Sequence, residues 1–100
     1  MAKSLKGTIE LMDDYVITVD MYNYSVGKRY TWKNKDGEVE HGVSYLGHHN
    51  TLPQALESFR RYLVRERLQD GSRTLSEALR TILEVNEQAM NFIRDNIPEV

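Results

Sequence analysis

The sequence predicts an α+β fold: a four-stranded antiparallel meander followed by two C-terminal helices packed on one face of the sheet, in the order ββββαα. Three observations carry that prediction. Up to about His49 the residues are β-branched and aromatic with turn formers between them, and beyond it the apolar residues recur at helical spacing. "NKDG", residues 34–37, is a hairpin signal between two long alternating stretches. "TLPQ" at 51–54 and "TLSE" at 74–77 each read as a capping box opening a helix.

Thr8 to Met12 is the first strand, with Ile9 and Leu11 on one face, and Asp13-Asp14 ends it as two acidic turn formers. Tyr15 to Tyr22 follows, with Tyr15, Ile17, Val19 and Met21 on one face and Val16, Thr18, Asp20 and Tyr22 on the other. That alternation predicts a half-buried strand. Asn23 marks the next turn, shaped by Asp20 as an Asx-type device. Tyr24 to Lys33 places Tyr24, Val26, Lys28, Tyr30 and Trp32 on one side. Gly37 supplies the positive φ of the hairpin, and the return strand runs from Glu38 to about Leu46 with Val39, His41, Val43 and Tyr45 together.

Thr51 caps the first helix, Gln54 completes its box and Pro53 sits in the first turn, where its missing N–H costs little. Leu52, Ala55, Leu56, Phe59, Tyr62 and Leu63 form one stripe, and Gly71 is the C′ residue. Thr74 and Glu77 open the second helix. Its stripe is Leu75, Ala78, Leu79, Ile82, Ala89, Met90 and Ile93, flanked by Leu83, Val85 and Phe92, and Pro98 prevents continuation. "TLPQALESF" and "TLSEALRTI" are one capped, amphipathic recipe used twice. With no third copy, they are not a repeat architecture.

Residues 1–100 are expected to form a single domain, with 1–6 a flexible N-terminus and 96–100 a frayed C-terminus. The formal charge of −2 lacks the basic excess of a dedicated nucleic-acid binder. The absence of cysteine removes disulfides, thiolate chemistry and Cys-ligated zinc. No apolar h-region follows the first residues, and no apolar run approaches the ~18 residues of a membrane span. The expectation is a cytoplasmic protein with no membrane association.

The stretches "YVITVDMYNYSVGK", "GVSYLGHHNTLPQALESF" and "TLSEALRTILEVNE" together resemble a family of small uncharacterised proteins encoded by phages and prophages of Gram-positive bacteria. Tyr15, Ile17, Asp20, Asn23, Leu52, Ala55, Leu56, Leu75, Glu77 and Leu79 match its pattern, over about Tyr15 to Asn86. The chain departs from it at Tyr45-Leu46-Gly47-His48-His49, where the family's second aromatic is replaced and two histidines are added. The resemblance implies a phage genome context and a noncatalytic accessory role, and it supplies no site residues.

Few residues suggest chemistry. His41, His48 and His49 with Asp13 or Asp14 reproduce no metal-ligand spacing, so exposed loop histidines are expected instead of a metal site. Asp13-Asp14 reads as a turn before it reads as a carboxylate pair. No phosphate-binding glycine loop and no nucleophile-elbow serine is present, so neither an enzyme nor a cofactor is expected.

Binding surfaces are the better candidates. Tyr22, Tyr24, Tyr30, Trp32 and Tyr45 crowd the sheet, as in protein interfaces and in base-stacking sheets. Arg60, Arg61, Arg65 and Arg67 lie opposite or beside the first helix's apolar stripe, where guanidinium groups serve phosphate recognition or simply a solvated face. Asn86 interrupts the second helix's stripe, and with Met90, Phe92 and Ile93 it is a candidate homodimer contact. The expected partner is a host or phage protein, with Tyr22, Tyr24, Tyr30, Trp32, Arg60, Arg61 and Arg65 as its contacts. A nucleic-acid module using the arginine helix or the aromatic sheet is the alternative.

Overall fold

The structure, a computed structural model, describes residues 7–97. Four strands, β1 (Gly7–Glu10), β2 (Tyr15–Val19), β3 (Tyr24–Lys33) and β4 (Val39–His49), are followed by α1 (Leu52–Leu68) and α2 (Leu75–Asp95). The strands pair antiparallel in the order β1-β2-β3-β4, the expected meander, and the class is α+β. The expected loose segment 1–6 and residues 98–100, Pro98 included, lie outside the described residues. No described helix is long and apolar enough to cross a membrane.

The chain divides between Ser58 and Phe59, inside α1, into two compact units. The first holds the sheet and the start of α1. Its turns follow from their residues. Asp13 and Asp14, at φ 55° and 65°, form the centre of a tight β1–β2 turn closed by Tyr15 N–H donating to Met12 O at 3.1 Å. The Asp20 carboxylate accepts from the N–H groups of Tyr22 (2.8 Å) and Asn23 (2.7 Å), the expected Asx device. At the β3–β4 hairpin Gly37 has φ 79°, and the Asn34 side chain accepts from the N–H groups of Asp36 and Glu38.

Three expectations for the sheet are corrected. β2 ends at Val19 and does not run to Tyr22, because the Asp20 carboxylate turns the chain there. β2 is not half-buried: Tyr15, Val16, Ile17 and Thr18 are all buried, on both faces. Lys28 lays its ammonium 4.3 Å from the Tyr15 ring centre on one face, and on the other the Thr18 hydroxyl lies 3.4 Å from that of Tyr45. β4 does not stop near Leu46 but continues to His49. A bulge makes the difference. Val26 pairs with Gly47 and Gly27 with Tyr45, so Leu46 is the extra residue and the ladder resumes beyond it. Gly27 sits under this bulge, where a Cβ would stand 2.4 Å from a Val43 methyl and 3.2 Å from the Ser44 carbonyl oxygen.

In α1 the stripe is as read, with Ala55, Phe59 and Leu63 buried and Leu52, Leu56 and Tyr62 partly so. The Gln54 N–H donates to Thr51 Oγ1 at 3.3 Å, and the Gln54 side chain accepts from Asn50, one residue before the cap. At α2 the Glu77 N–H donates to Thr74 Oγ1 at 3.2 Å, and the Thr74 hydroxyl donates to the Glu77 carboxylate at 2.9 Å. The second unit holds the correction. α2 buries Val85 and Ala89, whereas Leu75, Leu79, Leu83 and Met90 are exposed. At helical spacing its apolar residues span roughly half the circumference, wider than the ~100° stripe one packing face needs. Burial falls on the Val85 side of that arc.

Candidate interaction surface on the distal hairpin

β2 reaches only Lys28 of β3, so Arg29–Lys33 and Val39–Val43 continue as a two-stranded ribbon. Side chains two apart in a strand share a face, which sets Tyr30 and Trp32 on the side of Val26 and Lys28. Their rings stack, with centroids 5.3 Å apart and planes at 28°. Gly42 is paired directly with Tyr30, and a Cβ there would meet the tip of the Tyr30 ring at 2.9 Å and Trp32 at 3.0 Å. The missing side chain is therefore the seat on which the stack rests. Tyr30 and Trp32 remain 48% and 45% exposed. An aromatic pair held in place by its neighbours and still open to solvent costs little ordering entropy when it is covered.

The opposite face of the ribbon carries Arg29, Thr31, His41 and Val43. These residues, with Asp14, Tyr30 and Gly42, line an open groove of about 600 Å³. Arg29 is tied to Glu10 by a 2.9 Å ion pair, so the groove presents a partly neutralised guanidinium beside an imidazole, a hydroxyl and an aspartate. That mixture suits polar recognition.

The remaining candidates are dispersed. Tyr22 is exposed in the β2–β3 turn, and Tyr24 is half-buried between Val19 and His49. Tyr45 belongs to the face opposite the stack, where it stacks on His48 at 6.2 Å. His48 and His49 are strand residues, not loop residues as expected. The Ser25 hydroxyl lies 2.6 Å from His48 Nδ1, and His49 Nε2 is buried with no hydrogen-bond partner among the described residues. A serine beside a histidine can begin a nucleophile–base pair. Ser25 is only 5% exposed, and the bond satisfies a buried hydroxyl. Among the described residues no group of three or more potential metal ligands comes together.

In the second unit Arg60 Nη1 donates to Asn86 Oδ1 at 2.6 Å, so the residue that interrupts the apolar stripe has its partner within the chain. Arg60, Arg61 and Arg65 border a shallow recess of about 200 Å³ with Val64, Ile82 and Asn86. Arg61 and Arg65 are exposed, and Arg60 is half-buried. Of the expected dimer residues Met90 is exposed, whereas Asn86, Phe92 and Ile93 are partly covered.

Sequence reasoning named Tyr30 and Trp32 but missed Gly42, Arg29 and the groove. Gly42 was within reach: counting outward from the Asn34–Glu38 closure pairs Tyr30 with Gly42. Comparison of the chain with protein-family models, with curated proteins and with solved structures finds no match.

Proposed function

We propose that the protein is a noncatalytic accessory protein, of phage or prophage origin as the sequence resemblance implies, that acts in the host cytoplasm by binding a host or phage protein. Host takeover or suppression of a host defence is the role such a binder would serve. The observation that carries this reading is the stacked, half-exposed Tyr30–Trp32 pair seated on Gly42. Tyr and Trp on a preorganised support are the side chains that supply most of the energy at protein interfaces.

The test is affinity capture from host lysate with the wild-type chain and with a Tyr30→Ala/Trp32→Ala variant, analysed for protein and for nucleic acid. A specific protein is expected on the wild type. Its affinity is expected to fall about 30-fold or more on the variant, as for loss of an interface hot spot. Equal capture by both baits, or background alone, overturns the reading. Recovery of nucleic acid that disappears with added salt and with Arg61→Ala/Arg65→Ala would transfer the function to the arginine-bordered recess of α1.

A further inference from the structure

The two edges of the sheet are unequal: β1 has four residues and β4 has eleven. Hydrogen bonding alternates along an antiparallel ladder, and Arg29 fixes the parity here, because its N–H donates to Asp14 O at 2.9 Å on the β2 side. Val43, which is opposite Arg29, and with it His41 and Val39, must then turn their N–H and C=O groups away from β3. Among the described residues no hydrogen bond reaches the outer side of these three. Long edges are ordinarily blunted by lysine, proline or a covering element. The run from Val39 to Tyr45 contains no lysine and no proline, and its only acidic residue is Glu40. The bulge at Leu46 lies just past its end.

We propose that this edge is a self-association surface, on which a second copy of the chain adds its own Val39–Tyr45 strand antiparallel across a two-fold axis at Gly42. The register follows from the residues. Centring on Gly42 sets His41 against the partner copy's Val43, Val39 against its Tyr45 and Glu40 against its Ser44. Val43 then meets the partner copy's His41, and Val39 lies beside the partner copy's Tyr45, whose hydroxyl leans back over the sheet to Thr18. The Glu40 carboxylate, one oxygen of which accepts from Asn34 Nδ2 at 2.9 Å within the chain, faces a hydroxyl. Shifting the centre one residue toward the hairpin turn spends part of the pairing on turn residues. A two-residue shift sets Glu40 directly against itself. The bulge blocks extension the other way. Two four-stranded sheets become one continuous sheet. Because the axis is normal to that sheet, both Tyr30–Trp32 stacks lie on the same side, a bivalent arrangement.

Ser44 separates assembly from folding. It is exposed, and Lys28 is its neighbour on β3. A glutamate at 44 gains Lys28 within the chain but faces Glu40 of the partner copy, whereas a lysine does the reverse. The experiment is sedimentation equilibrium of the full chain over micromolar to millimolar concentration, for wild type, Ser44→Lys, Ser44→Glu and His41→Pro, alongside thermal unfolding of each. A reversible dimer is expected. Ser44→Lys should tighten it about fivefold and Ser44→Glu should loosen it about tenfold, with small stability changes of opposite sign. His41→Pro, which removes an outward N–H from each copy, should weaken it at least about tenfold while the chain stays folded. A monomer at every concentration overturns the proposal. So does a dimer indifferent to the sign of the charge at 44, or one lost on Leu83→Glu in α2 while His41→Pro leaves it intact.

Discussion

Between Tyr24 and Lys28, β3 runs with β2 on one side and β4 on the other, and Ser25, Val26 and Gly27 are buried. From Arg29 to Lys33 the same strand has lost β2, and every residue is exposed. The alternation does not change at Lys28: Tyr24, Val26 and Lys28 continue into Tyr30 and Trp32 on the same face. What changes is the number of neighbours. The proximal part has a strand on each side, and the distal part, with one, offers the same kinds of side chain to solvent. A patterned strand states which residues share a face, and whether that face is buried depends on neighbours the strand itself does not contain.

The two parts should differ most when one large side chain is removed from each. Ile17 is fully buried in β2 opposite Val26, so Ile17→Ala is expected to cost about 3 kcal/mol through lost transfer energy and the cavity left behind. Trp32 is larger but stands on the ribbon, and Trp32→Ala should cost at most about 1 kcal/mol, mainly the lost ring contact. Urea titrations of the two variants measure both. Equal losses would mean that the ribbon is part of the folding core.

A smaller effect comes from adding one methyl group. At Gly27 an alanine Cβ meets a β-branched side chain at 2.4 Å and a backbone oxygen at 3.2 Å, neither of which can swing aside. Gly27→Ala is expected to cost about 2 kcal/mol by overpacking. At Gly42 the obstructing atoms are the far ends of Tyr30 and Trp32, which can rotate into solvent. Gly42→Ala should therefore cost less than about 1 kcal/mol, yet displace the stack and alter the near-UV circular dichroism of Trp32. If Gly42→Ala leaves that spectrum as in wild type, Gly42 is not the seat of the stack.

The elements were legible because each depends on local chemistry. Asp13-Asp14, Asp20 with Asn23, and Asn34 to Gly37 specify turns whatever lies elsewhere, and Thr51 and Thr74 cap helices with their own hydroxyls. The burial of β2 was not legible, because Tyr15 is covered by Lys28 and Thr18 is reached by Tyr45, contacts set by a register that one strand does not contain. The same holds for α2, where Leu75, Leu79 and Leu83 fit a core stripe as well as Val85 and Ala89 do, and packing decided between them. Of the candidate surface, Tyr30 and Trp32 could be named from composition. Their stacking on Gly42, and the open outer side of β4, exist only once the pairing is known.

The smallest expected effect concerns the turn beside the groove. Asp13 and Asp14 both hold positive φ, a conformation that Asn-Gly ordinarily supplies in two-residue hairpins. Asp tolerates it better than most residues but still at a cost of order 1 kcal/mol. Asp14→Gly relieves that strain while adding entropy to the unfolded chain, so a net gain of about 0.5 kcal/mol is expected. Asp14→Ala removes the same carboxylate but keeps a Cβ, and should lose about 1 kcal/mol. The opposite signs isolate the backbone from the side chain, and thermal unfolding of the pair measures them. If both variants are instead destabilised equally, the Asp14 carboxylate contributes stability of its own, and the turn belongs with the buried part of the sheet and not with the ribbon.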